Sequence, residues 1–240
     1  MEHFQQNGNR WGVLFDMDGV IFDSEAVSVQ CWRKAADALG LEGIDSVYTR
    51  CVGTNIASSK AILREAFGER VDPAAFLAMT SRFYDAWCKE NGLPVKPGAP
   101  ELLRALREAG VPIAIASSTS RTYVTRELEE AGLLEFFDAV ICGDMVTKSK
   151  PDPEIFLTAA AALGVQPCNA VVIEDSYNGI RAAAAGGMHP VMVPDILPPT
   201  DEMRRLAEVI LPSLFEVKAF LGFNEDDQCE ASDWTDIRLP

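Results

Sequence analysis

Residues 11–25 read WGVLFDMDGVIFDSE. Trp11 to Phe15 form an apolar run suited to a buried strand, and then Asp16 and Asp18 arrive at alternate positions. Burying two like charges together is costly unless a cation or a reaction offsets it. Gly19 permits a tight turn after the strand, so both carboxylates can point into a crevice above a sheet.

The rest of the chain supplies that sheet. After residue 93, helix-like segments such as APELLRALREAG and PDPEIFLTAAAALG alternate with the strand-like runs VPIAIAS, FDAVIC, AVVIED and PVMVP. Short apolar runs separated by amphipathic helices predict a parallel sheet with helices on both faces. Polar residues gather at the C-terminal ends of these runs, where doubly wound folds build their sites.

Between Asp18 and VPIAIAS lie about ninety residues, too many for one crossover. They read as helices. Val29, Trp32, Ala36 and Leu39 make one stripe, and Ile62, Ala66 and Phe67 another. Phe76, Met79, Phe83 and Trp87 make a third, behind Asp72 as N-cap and Pro73 at the first helical position. The expected architecture is an α/β doubly wound parallel sheet, a Rossmann-like core, with an inserted α-helical cap domain. The core takes 11–23 and 93–222 and the cap 24–92, with tails at 1–10 and 223–240; NGLPVKPGAP is the return hinge.

Four patches carry chemistry. Asp16 and Asp18 are the first. The second is Ser117-Ser118-Thr119-Ser120, running into a helix start where hydroxyls and backbone N–H groups can cradle an anion. The third is Lys150, before Pro151-Asp152-Pro153, with Asp152 capping the next helix; the fourth is Glu174-Asp175, ending AVVIE. If their loops converge on one crevice, four carboxylates, a lysine and a hydroxyl cluster form a hard-cation site beside an anion site. That equipment suits Mg²⁺-assisted phosphoryl chemistry.

Other classes fall away. The net charge of −15, with no basic stripe, argues against nucleic acid or anionic lipid as partner. No apolar stretch is long enough to span a membrane, and MEHFQQNGNR lacks the apolar core of a signal peptide. The six cysteines show no C-x-x-C pair and read as reduced, which suits the cytoplasm. There is no P-loop and no G-x-G-x-x-G, and glycine stands at the wrong place for an EF-hand starting at Asp16. The two histidines, His3 and His189, fit neither a Ser-His-Asp triad nor a zinc hydrolase; His189 reads as a turn residue before a strand.

In order along the chain, DMDGV, IASS, SKPDPEIF and VIEDSYNGIRAAAAGGM resemble the signatures of the haloacid dehalogenase-like hydrolase superfamily. The resemblance runs from about Val13 to Leu221. The helical insertion is similar to that family's small cap, and the subgroup resembled is sugar-phosphate phosphatases and β-phosphoglucomutase. It implies Asp16 as nucleophile and Asp18 as general acid and base. Ser117, Ser118 and Lys150 would hold phosphate. Asp16, the Asp18 carbonyl, Glu174 and Asp175 would hold Mg²⁺.

The substrate implied is a small phosphomonoester, a sugar or nucleoside monophosphate; the sequence leaves the oligomeric state open and is compatible with a monomer. The cap would read it through Glu25, Ser28, Thr54, Asn55 and Lys60. A phosphomutase and a non-catalytic phospho-metabolite binder are the alternatives. β-Phosphoglucomutases usually carry a histidine and an arginine in the cap where this chain has Ser28 and Ile56, and an intact Asp18 has no use in a binder.

Overall fold

A computed structural model of the chain describes residues 10–52, 54 and 56–223. Asn55 and the acidic C-terminal stretch lie outside the described residues. The strands are β1 (Gly12–Phe15), β2 (Ile113–Ser117), β3 (Ala139–Cys142), β4 (Ala170–Glu174), β5 (His189–Met192) and β6 (Val209–Ile210). They form one parallel sheet in the order β3-β2-β1-β4-β5-β6. β1 is central, with Leu14 level with Ala114 on one side and Val172 on the other. The chain builds leftward from β1 to β3 and then restarts on its right with β4, which opens a crevice at the carboxyl ends of β1 and β4.

Both sheet faces are dry, because alternate strand residues feed two separate cores. Val13, Phe15, Ile113, Ile115, Val171 and Ile173 pack on one face under α5 (Ala99–Glu108), α6 (Arg121–Glu130) and α10 (Leu214–Phe220). Leu14, Ala114, Ala116 and Val172 pack on the other under α7 (Glu154–Leu163) and α8 (Tyr177–Ala185). Two details depart from the sequence expectation. β6 is a sixth strand, two residues long and too short to carry a period, reached through α9 (Asp201–Leu206). His189 is not a turn residue: it begins β5, its ring nitrogens 2.5 Å from Glu208 Oε2 and 2.9 Å from the Cys168 carbonyl.

The insertion folds as α1 (Ser24–Ala38), α2 (Ile44–Cys51), α3 (Ile56–Phe67) and α4 (Pro73–Asn91) around a third core. Trp32 anchors it edge-on to Tyr48 and Phe76, with ring centroids 5.1 and 5.2 Å away. Asp72 caps α4 as its sequence predicts, accepting the Ala74 N–H at 2.9 Å. The expected stripes are only partly right. Leu39 follows the end of α1 and is exposed. On α4, Phe76 with Met79 and Phe83 packs on this core as expected, whereas Trp87 is not part of it, and Thr80 and Tyr84 border the crevice.

Two linkers join the lobes and pair with each other. Asp23 N–H donates to Pro94 O and Lys96 N–H to Ile21 O, both at 2.8 Å, with Phe22 and Val95 bridged antiparallel. Lys96 Nζ also reaches Asp195, beyond β5, at 2.5 Å. Among the described residues no helix is long and apolar enough to cross a membrane, and Cys31, Cys51, Cys88 and Cys142 are buried thiols.

Candidate active site

Asp16 is the first residue past β1, and its N–H still donates into the ladder, to Ile173 O at 3.0 Å. Its carboxylate is therefore fixed by the sheet. The chain then turns on Gly19, whose φ of 77° suits glycine. Ile21 and Phe22 N–H both return to Met17 O, which leaves Asp18 at the lip of the crevice.

Lys150 joins the patches. Its ammonium is buried and donates to Asp16 Oδ1 at 2.5 Å, Glu174 Oε1 at 2.8 Å and the Ala116 carbonyl at 3.0 Å. A lysine ahead of a proline-rich turn is exposed by default; this one is drawn inward, where burial pushes its pKa down but Asp16 and Glu174 together outweigh it and hold the value above that of an ordinary amine. The other oxygen of Glu174 accepts Ser176 N–H at 2.7 Å. Glu174 folds back over the start of α8, where Gly179 makes room: a Cβ there would lie 1.7 Å from Glu174 Oε1. Asp152, expected to cap α7, accepts Glu154 N–H at 3.1 Å, although the helix boundary residue is Pro153.

The hydroxyl patch differs in detail from its expectation. Ser117 is fully buried and its Oγ accepts Thr119 N–H at 3.0 Å. Arg121 N–H, at the start of α6, is engaged by Asp144 at 3.1 Å. Ser118 and Thr119 are the residues that line the cleft. Thr119 Oγ1 donates to Asp18 Oδ2 at 2.9 Å. Gly143 lets β3 approach this loop, since a Cβ there would lie 2.1 Å from the Ser118 carbonyl oxygen.

Burial dominates the electrostatics. It lifts Asp16 to about 7 against the pull of Lys150, with Glu174 and Asp18 adding repulsion. Asp175 is raised well above the carboxylate range by burial, then by Glu174 and Asp16. The cleft, of about 1360 Å³, continues from these groups up to Glu25, Ser28, Thr54 and Lys60 of the helical lobe. The Glu25 carboxylate receives the Tyr48 hydroxyl and is raised by burial to about 6. Thr54 is committed locally, its hydroxyl donating to Cys51 O at 2.7 Å.

The haloacid dehalogenase-like hydrolase family matches residues 12–187. The chain belongs to this family. As a haloacid dehalogenase-like hydrolase it is 31% identical over 183 residues to the phosphorylated carbohydrates phosphatase of Thermotoga maritima, covering 75% of this chain and 82% of that protein. It is 34% identical over 208 residues to validoxylamine A 7'-phosphate phosphatase of Streptomyces hygroscopicus subsp. limoneus, covering 85% and 94%. A solved family hydrolase of Deinococcus radiodurans R1, with bound phosphate and sodium, superposes with a TM-score of 0.75 at 32% identity, covering 90% and 96%.

The donor set fits the divalent cation typical of this family. Lys150 reaches one oxygen of Asp16 and one of Glu174, while Asp175, buried among like charges, has no cation against it among the described residues. Gly19 keeps the space at Asp175 clear: a Cβ there would lie 2.4 Å from Asp175 Oδ2. The available ligands are hard oxygens, as Mg²⁺ requires. No three His, Cys, Asp or Glu side chains among the described residues hold an ion alone, and Mg²⁺ commonly completes its shell with water and phosphate oxygens.

Sequence reading missed several cleft groups. Thr119 was seen only as part of a hydroxyl run. Ser24 is buried and lines the cleft, and its hydroxyl has no hydrogen-bond partner among the described residues. Glu127 is also buried, in the middle of α6. Its one legible signal was an acid on the apolar side of a helix, level with Val124 and Leu128.

Proposed function

We propose that this hydrolase is a Mg²⁺-dependent phosphatase of small phosphorylated metabolites, sugar phosphates foremost, working through an aspartyl-phosphate on Asp16. The observation that carries this reading is Asp16 held against the buried ammonium of Lys150, with Asp18 two residues on and restrained by Thr119. A carboxylate can attack a phosphate dianion only where positive charge offsets the repulsion. Asp16 would form the new O–P bond while the ester O–P bond breaks and Asp18 gives its proton to the leaving oxygen. Asp18 would then take a proton from the water that attacks phosphorus, which releases Asp16 and inorganic phosphate. Bound at Asp16, Asp175 and the Asp18 carbonyl, with Glu174 nearby, Mg²⁺ would supply charge that keeps the acids ionised and draws density from the phosphoryl oxygens.

In this reading Ser117, Ser118 and Lys150 hold the phosphoryl group. The helices of 24–92 act as a cap over a core of 11–23 and 93–222, and Glu25, Ser28 and Lys60 meet the leaving group. Ile56 is 70% exposed on the cap, an apolar side chain where a mutase would need an arginine for a second phosphate, which favours hydrolysis over transfer. The relatives named for phosphorylated carbohydrates and for validoxylamine A 7'-phosphate support the substrate class. The buried free thiols suit a cytoplasmic setting.

The test is phosphate release from sugar phosphates, nucleoside monophosphates and 4-nitrophenyl phosphate, with Mg²⁺ and with chelator. Mg²⁺-dependent release from wild type, abolished in a folded Asp16→Asn, is expected. Release that survives in Asp16→Asn would sink the assignment, and interconversion of glucose phosphates without release would install the mutase.

A further inference from the structure

On the leaving-group side of the cleft stands an acid that the reaction above does not use. Glu127 is 4% exposed on α6, yet it borders the cleft. Its one hydrogen bond among the described residues is a long 3.3 Å contact from Arg126 Nη2 to Oε1. Arg126 itself reaches outward over the Tyr123 ring, 4.9 Å from its centroid. Glu127 Oε2 therefore has no donor. A nine-tenths-buried carboxylate normally recruits donors for both oxygens.

Its position relative to the chemistry is specific. After burial, the largest influence on Glu127 is the charge of Asp18. Tyr84 lines the same cleft, and after burial Asp18 and Glu127 are the two leading charges acting on its phenol. In the mechanism proposed above Asp18 protonates the leaving oxygen, so the body of the leaving group would extend along the cleft that Glu127, Tyr84 and Tyr123 also line. Asp85 borders the same wall.

We propose that Glu127 is a specificity-determining residue whose free oxygen accepts a hydrogen bond from a donor on the leaving group, a hydroxyl or an ammonium, and that this wall disfavours leaving groups carrying a second anion. The inference rests on the phosphatase reading and narrows it. Asp85 and Glu127 present negative potential on this side, while Lys150 is consumed by Asp16 and Glu174. A carboxylate or second phosphate entering here meets like charge in a poorly solvated place. A hydroxyl or ammonium supplies the donor that Oε2 lacks.

The experiment compares kcat/KM for glucosamine 6-phosphate, glucose 6-phosphate, 6-phosphogluconate and 4-nitrophenyl phosphate, in wild type, Glu127→Gln and Glu127→Leu, all with Mg²⁺. Wild type should favour the two uncarboxylated sugars over 6-phosphogluconate. In Glu127→Leu the sugar-to-aryl ratio should fall at least about tenfold, the scale of one charged hydrogen bond, and the relative rate with 6-phosphogluconate should rise. A larger loss with glucosamine 6-phosphate identifies an ammonium donor; equal losses identify a hydroxyl. Should the leucine variant not fold, Glu127→Met, which also lacks an acceptor, is read by the same ratios, and Glu127→Gln, which keeps one, should hold the sugar-to-aryl ratio better than either. Ratios that stay constant while all rates move together would overturn the proposal, as would aryl hydrolysis without any sugar-phosphate hydrolysis. No hydrolysis of any substrate would overturn the phosphatase reading itself.

Discussion

Thr119 Oγ1 donates to Asp18 Oδ2 at 2.9 Å, a contact that ties the β1 turn to the loop after β2 across 101 residues of chain. The hydroxyl fixes the direction of the carboxylate proposed to hand over and retrieve a proton. Thr119→Val keeps the side-chain shape and removes the donor. Its kcat should fall about 10–100-fold, part of the roughly 10²–10⁴ that positioned acid–base groups supply, with KM little changed. Steady-state kinetics checks this, and a wild-type kcat in Thr119→Val would show that Asp18 needs no such restraint.

Gly179 offers a test of how firmly Glu174 must be seated. An alanine Cβ there would lie 1.7 Å from Glu174 Oε1, and that buried carboxylate is bonded to Lys150 and to Ser176 N–H, so it must leave both partners. Alanine favours the helix by up to about 1 kcal/mol over glycine, which does not offset the roughly 3–5 kcal/mol of a broken buried ion pair. Gly179→Ala should therefore melt below wild type and lose most of its turnover. Thermal denaturation beside phosphate release reads both quantities, and wild-type stability with full activity would mean that Glu174 is dispensable to Lys150.

Lys150→Met removes the cation from two buried carboxylates. Breaking one side of a buried ion network costs roughly 3–5 kcal/mol, because the remaining charges are left unpaired. The loss should be smaller at pH 5 than at pH 8, since Asp16, already raised to about 7 with Lys150 present, is then neutral. Chemical denaturation of both proteins at the two pH values decides it; an equal loss at both would place the neutralising charge elsewhere.

The acid on α6 gives stability a pH signature. Burial raises Glu127 from 4.5 to about 7 in the folded chain. A carboxyl with a raised folded pKa contributes fully below 4.5 and loses that contribution as pH climbs through about 7. Relative to wild type, Glu127→Gln should therefore gain about 1–2 kcal/mol between pH 5 and pH 8, less than full linkage because the side chain borders a wet cleft. Denaturation midpoints of the pair across that interval test the sign. A constant gap between the two proteins would place the Glu127 titration outside it.

The sheet and the four chemical patches were legible because their signals are local. Strands buried on both faces read as unbroken apolar runs, and glycines and prolines punctuate the turns around Asp16 and Lys150. What escaped were pairings between distant segments. Nothing near Asp195 in sequence announces Lys96, and nothing near Glu25 announces Tyr48. On α4 the stripe of Phe76, Met79 and Phe83 was legible, but a second buried side was not: Thr80 and Tyr84 are semi-polar residues that border the crevice, and hydropathy does not single them out. Glu174 shows the limit most plainly, because its backward fold depends on a glycine five residues later.

The paired linkers at Phe22 and Val95 have an evolutionary meaning. Everything between them enters and leaves through a single narrow doorway in the chain, and the sheet on the other side is complete without it. A lineage could thus exchange or rebuild the interposed helices as a cassette while the parallel sheet and its acids pass down untouched. Chemistry and taste for substrate would then be inherited separately.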